Sequence, residues 1–319
     1  MTLRLIAAAL LAVTTAAAAQ TYPSKPLRVI VPQPPGGGFD LVARTLAEPL
    51  AALLGQAVVI ENRPGGGTIV GTDLVAKAEP DGYTLLLGAS ANLVFTPGLY
   101  RNLPYNPKSD FTSLGLAAGF GYTLVARNDL PQPTLKEIVA YARQNPGKLT
   151  YASAGNGTGQ HIAAALLWQL CGVSITHVPY KGAQAVYQDL IPGRVDLFFD
   201  AASTARGHVD AGRVRAIAVS PATRLSYHPS VPTVRETGVA DFAWETWAGY
   251  FVRSGTPAPV LARLRADFER VMAMPEMAAT LEKRGARPLH VAAHEADAML
   301  AGDIDKWTRL IREAGLTAD

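Results

Sequence analysis

Residues 26–40 read PLRVIVPQPPGGGFD, and residues 148–159 read KLTYASAGNGTG. Each is a short β-branched or aromatic run that ends in a glycine-rich turn. The first opens a helical pattern at 41–54 that Gly55 closes, and the second opens one at 162–171 that Gly172 closes. The plan continues in parallel after both. In the first copy a strand at 58–61 leads to Arg63-Pro64-Gly65-Gly66-Gly67, a helix at 69–77, Asp81-Gly82 and a strand at 83–87. In the second, a strand at 175–178 leads to Tyr180-Lys181-Gly182, a helix at 185–191, Pro192-Gly193 and a strand at 195–199. Strand–helix alternation of this kind predicts an α/β fold with mostly parallel sheets flanked by helices. Two copies predict two similarly built domains.

The remaining segments read as connectors. The apolar, glycine-spotted stretch 111–126 and the run 244–252 suit two strands that cross between domains and form a two-stranded hinge. Amphipathic patterns at 257–273 and 294–314 then return to the first domain. The expected boundaries are 22–121 plus 245–319 for domain 1 and 122–244 for domain 2. Pro49 lies inside the first helical pattern, where its missing N–H predicts a kink or split.

Arg4, the apolar run 5–13 and Ala17-Ala18-Ala19-Gln20 have the three-part pattern of a secretory signal, cleaved after Ala19. The run is too short to span a bilayer, which needs roughly 20 apolar residues. This predicts export and a periplasmic location. The chain is 319 residues long and 49% hydrophobic, enough for two cores. Its net charge is +3 and it has no basic run or stripe, which argues against a nucleic-acid partner. Cys171 is the single cysteine, so no intramolecular disulfide forms, and its apolar setting predicts a buried structural role.

A glycine turn that opens a helix presents free N–H groups beside the positive end of the helix dipole, and so can hold a carboxylate or phosphate without a cation. One such turn per domain, at the carboxyl ends of parallel strands, predicts an anion gripped from both sides of a cleft. Neither loop has the Gly-Lys-Ser/Thr of a phosphate-binding loop or G-x-G-x-x-G spacing, so no nucleotide or other cofactor is expected. There is no G-x-S-x-G, no H-E-x-x-H and no cysteine–histidine pair, and the six histidines are scattered. The reading is a binding protein with no catalytic residue and no metal, not an enzyme. Several polar residues have two readings each. Asp40 caps the first helix or touches the ligand. His161 bonds backbone in a first turn or donates to the ligand loop. Asp200 accepts from a ligand hydroxyl or amine, or holds a turn. Trp244 and Trp247 pack in the hinge or form an exposed patch for a protein partner.

Taken in order, these segments resemble the substrate-binding proteins of tripartite tricarboxylate transporters, the Bug family. The resemblance rests on Tyr22-Pro23-Ser24-Lys25-Pro26, Val29-Ile30-Val31-Pro32, Pro34-Pro35-Gly36-Gly37, Glu61-Asn62-Arg63-Pro64-Gly65 and Pro80-Asp81-Gly82-Tyr83-Thr84-Leu85. Further along it rests on Tyr151-Ala152-Ser153-Ala154-Gly155-Asn156-Gly157-Thr158, His177-Val178-Pro179-Tyr180-Lys181-Gly182 and Val231-Pro232-Thr233. It implies a two-domain periplasmic-binding-protein (flytrap) fold that captures a small di- or tricarboxylate, amino acid or aromatic acid. The implied partners are membrane transporter subunits of the tripartite type, and the chain itself a monomer; the alternatives are an exported ligand sensor feeding a signalling partner and, behind it, an α/β enzyme. Ligand contacts carried over are Gly36, Gly37, Gly38, Phe39 and Asp40 on one wall. The other wall takes Ser153, Gly155, Asn156, Gly157, Thr158 and His161, with Asp200 nearby. Gly38 stands where many relatives have a hydroxyl residue, and Phe39 would narrow the pocket or stack on an aromatic guest.

Overall fold

The computed structural model describes residues 22–156 and 158–318. The expected signal at 1–19 and the loop residue Gly157 lie outside that range.

The first glycine turn sits between β1 (Leu27–Val31) and α1 (Gly38–Leu54). Four of the five β1 side chains are buried, as expected for a strand covered on both faces. The face of α1 that carries Val42, Leu46, Leu50 and Leu54 is buried against the sheet. Pro49 neither splits nor ends α1, because apolar packing at Leu46, Leu50 and Leu54 holds both sides of the missing hydrogen bond. Then come β2 (Val58–Asn62), α2 (Ile69–Ala76), β3 (Thr84–Ala89), a π-helical turn at Ser90–Val94 and α3 (Thr96–Leu99).

β4 (Phe111–Phe120) and β5 (Tyr122–Ala126) are one extended run broken at Gly121, and they belong to different sheets. The second sheet region continues with α4 (Leu135–Gln144), β6 (Thr150–Ser153), α5 (Gly159–Leu170), β7 (Thr176–Pro179), α6 (Ala183–Leu190), β8 (Leu197–Ala201), α7 (Ala202–Asp210), β9 (Arg215–Val219) and α8 (Val234–Thr237). The chain then returns through β10 (Thr246–Arg253), α9 (Ala258–Met272), α10 (Pro275–Lys283), β11 (Arg287–Val291) and α11 (Ala293–Glu313). β10 and β11 pair in the first sheet, so the C-terminal elements do come back to it.

The fold is therefore α/β with two helix-flanked sheets, of order β11-β4-β10-β3-β1-β2 and β7-β6-β8-β5-β9. Each sheet is mixed, which corrects the expectation of mostly parallel sheets. β1 pairs in parallel with β2 and β3, and β6 with β7 and β8. The strands next to the crossings, β10, β4 and β5, pair antiparallel. The physical reason is that a chain leaving a sheet and re-entering it runs against the strands built by strand–helix–strand turns.

Ser220 ties the two crossings together. Its Oγ accepts from the Tyr122 N–H at 2.9 Å and donates to the Trp244 carbonyl at 2.6 Å, while its own backbone bonds both residues. Trp244 and Trp247 are 1% and 3% exposed, so they pack at the crossing and form no surface patch. Cys171 is buried, and burial pushes its thiol up to about 11.

Candidate ligand-binding site

A cavity of about 1060 Å³ opens where the glycine loops of the two sheets face each other. On the first side it is lined by Gln33, Pro34, Pro35, Gly36, Gly37, Gly38 and Phe39, and by Gly65, Gly67 and Thr68 of the next glycine turn. On the second it is lined by Ala154, Asn156, Thr158, Gly159 and Gln160, with Gly182 and Gln184. Phe95, Tyr100, Phe120, Tyr122 and Thr246 form its flank and floor. Among the described residues the lining holds no aspartate, glutamate, lysine, arginine or histidine.

The first loop is shaped by Asp40. Gly36 takes φ +85°, a left-handed conformation that glycine adopts without strain, and this aims its N–H inward to donate to Asp40 Oδ2 at 2.9 Å. Asn62 donates to the other carboxylate oxygen at 2.8 Å and also to the Gln33 carbonyl at 3.1 Å. Arg44, one turn along α1, donates from Nε to Asp40 Oδ2 at 3.0 Å. Burial alone would raise the Asp40 carboxyl, but the hydrogen bonds from Arg44, Gly36 and Asn62 outweigh it and hold the group below the usual carboxylate range. Asp40 is thus behind the loop, bracing it, and is not part of the lining. The N–H groups of Gly37, Gly38 and Phe39 open α1, so the helix itself offers them no acceptor.

The space left by Gly38 is filled by Phe120. A methyl built at Gly38 would approach the Phe120 ring at 3.0 Å, and Phe120 meets Phe39 edge-to-face with centroids 5.0 Å apart. Phe39 is therefore one member of an aromatic pair on the cavity wall.

The second loop is braced by a histidine stack. Thr158 caps α5, accepting from the His161 N–H at 3.4 Å and donating to the Gly155 carbonyl at 2.7 Å. Ser153 Oγ lies 2.7 Å from His177 Nε2, and His177 stacks on His161 with centroids 4.1 Å apart. Tyr151 also stacks on His177 at 4.8 Å and lies 6.5 Å from His161. Burial, and then the neighbouring His161, lower the His177 pKa to about 4, and burial lowers His161 as well, so the stack is neutral near pH 7. The loop after β7 is fastened to this one by the Tyr180 and Gly182 N–H groups, which donate to the Ser153 and Ala154 carbonyls.

Asp200 is fully buried. It accepts from the Tyr187 hydroxyl and the Ala201 N–H, both at 2.8 Å, and burial raises its pKa to about 7 despite these bonds and one from Gln160. Gln160 itself lines the cavity.

Of the twelve residues expected from the sequence, Gly36, Gly37, Gly38, Phe39, Asn156 and Thr158 line the cavity. Asp40, Ser153, Gly155, His161 and Asp200 form the layer behind it, and Gly157 is outside the described residues. Sequence reasoning missed Thr68, Tyr100, Tyr122, Gln160, Gln184 and Thr246. Thr68 has φ +89°, the one left-handed non-glycine among the described residues, on a turn that the sequence did mark by its three glycines.

Comparison with known proteins places the chain in a family and matches its fold to solved structures. Residues 42–316 match the family model described as tripartite tricarboxylate transporter family receptor. A Pseudomonas sp. (strain P51) protein, the UPF0065 protein in the tcbD-tcbE intergenic region, is 37% identical over 99% of this chain and 95% of its own. The structure of the periplasmic binding protein BugD is 34% identical, with TM-score 0.78, over 92% of this chain and 99% of that one. MatC from Rhodopseudomonas palustris, solved with bound malate, is 31% identical with TM-score 0.78, over 91% of this chain and 100% of that one.

Proposed function

Given that this chain belongs to the tripartite tricarboxylate transporter family receptors, a family of solute-binding proteins and not of enzymes, we propose that it is an exported receptor that captures a small carboxylate between its two glycine loops. The observation that carries this reading is a cavity walled on both sides by helix-opening loops and lined, among the described residues, by no ionisable group other than tyrosine. In such a site a carboxylate is neutralised by N–H groups and helix dipoles, which hold one negative charge and offer nothing to a cation.

The malate bound by MatC supports a carboxylate ligand. The ligand-binding residues are Gly36, Gly37, Gly38 and Phe39 on one wall and Asn156, Gly157 and Thr158 on the other. Asp40, Ser153, Gly155, His161 and Asp200 position them. We assign residues 22–121 with 245–319 to one domain and 122–244 to the other, with closure by bending at the crossings. The ligand favours closure only as far as it binds the closed form better. The family supports delivery to membrane subunits of a tripartite transporter, from a periplasmic monomer whose signal ends near Ala19.

The test is isothermal titration of protein recovered from the periplasmic fraction, its N-terminus read by mass spectrometry. Expected are a start at Gln20, and one-to-one binding of at least one acid from a panel of mono-, di- and tricarboxylates, with a raised melting temperature. A panel that yields neither binding nor stabilisation sinks the carboxylate reading.

A further inference from the structure

The floor of the cavity lies where the chain crosses between sheets, and it gathers hydrogen-bond donors that the fold does not use. Thr246, the first residue of β10, is 2% exposed and lines the cavity, and its Oγ1 is buried without a partner among the described residues. Trp244, two residues earlier, is 1% exposed, and its indole N–H is buried and unpartnered in the same way. Tyr122, the first residue of β5, also lines the cavity. Across the sheet Thr246 is paired with Phe120, two residues before Tyr122, so the three side chains share one corner. The Tyr122 phenol lies within reach of both the threonine hydroxyl and the indole, yet neither contact has hydrogen-bond geometry. Phe95 stacks on Trp244 with centroids 4.9 Å apart and forms the adjacent cavity wall.

Gly159 makes room for this corner: a methyl there would overlap the Tyr122 hydroxyl. Burial raises the phenol pKa to about 12, so it remains a donor at any physiological pH. A buried donor left without an acceptor is costly. Buried groups of this kind are normally satisfied by protein or by what occupies the neighbouring space.

Resting on the carboxylate reading above, we propose that Tyr122 and Thr246, backed by Trp244, form a second polar subsite that accepts an oxygen of the ligand distant from the loop-bound carboxylate. The favoured ligand therefore carries two oxygen-bearing ends, and its far end bonds the first residues of both strands beyond the crossings.

The test uses matched pairs, succinate with butyrate and adipate with hexanoate, titrated into the wild type, Tyr122→Phe and Thr246→Val. Expected is that the wild type binds a diacid more tightly than its matched monoacid, and that each variant loses roughly tenfold or more of that preference. Monoacid affinity is expected to change little. A diacid preference absent from the wild type, or kept intact in both variants, overturns the proposal. If the wild type binds none of the four acids in these pairs, the wider panel above judges the carboxylate reading, and ligand-free melting judges the subsite alone. Thr246→Val melting at or above the wild type then supports a hydroxyl uncommitted to the fold, and a lower melting temperature overturns it.

Discussion

His177 and Asp200 both sit in the layer behind the second loop, and burial drives their titrations in opposite senses. His177, lowered to about 4, refuses a proton that the unfolded chain takes up near 6.5, so it removes stability as pH falls through that window. Asp200, raised to about 7, keeps a proton that the unfolded chain releases near 4, so it removes stability as pH rises from about 4 to 7. In the wild type the two slopes oppose each other. The expected outcome is that Asp200→Asn melts progressively lower, relative to wild type, as pH is taken from 7 to 5, while His177→Gln shifts the other way. Melting curves at several pH values check this, and parallel curves for all three proteins would show that neither group titrates as its burial requires. Asp40 is held low by Arg44, Gly36 and Asn62 against the effect of burial, and its contribution fades only as pH falls below the ordinary carboxylate range.

At the scale of elements, α4 shows how a local signal can be present and separate from the site. Thr134 and Glu137 form a reciprocal capping box: Thr134 Oγ1 accepts from the Glu137 N–H at 3.3 Å, and Glu137 accepts from the Thr134 N–H at 3.0 Å. Thr134→Ala is expected to lower stability by about 1 kcal/mol with ligand affinity unchanged, as read by denaturant melts alongside titration. This S/T-x-x-E pattern was open to reading from the sequence, unlike much of the architecture. The helix-opening glycine turns were legible because Gly36 and Gly155 announce backbone that other residues avoid. The C-terminal helices were legible from their apolar stripes, and they extend over Ala258–Met272 and Ala293–Glu313. β11, with its half-exposed residues and Pro288, carries no strand pattern and forms only because β4 offers an edge. The antiparallel pairings were hidden for the same reason, since strand direction is decided by where the chain goes next. Phe120 filling the place of a side chain at Gly38, and Thr246 meeting Tyr122, are contacts between segments far apart in sequence. No local periodicity encodes them.

Across the whole molecule, the two sheets are joined by the β4–β5 run and by the return through Trp244 to β10. The hydrophobic core is continuous past this junction, with Phe95, Trp244 and Trp307 in mutual contact. Trp247 Nε1 donates to Asp303 of α11 at 2.9 Å close by. The apolar surface at the junction favours compact arrangements, and on the proposed reading a ligand that touched both walls would add to that preference. A bound acid is therefore expected to reduce the radius of gyration measured by small-angle X-ray scattering. A scattering profile unchanged by saturating amounts of an acid that titrates would exclude capture by bending.

Ser220 gives the junction its mechanical character. One hydroxyl receives the amide of the outgoing strand and grips the carbonyl of the returning one, so the two passages are fastened to each other. The linkage works as a door on a common pin, where two independent tethers would let the halves twist and slide. Under the proposed capture by bending, motion about that one axis would bring the same two loops face to face at each closure, so the pocket would be rebuilt with the same spacing for every guest.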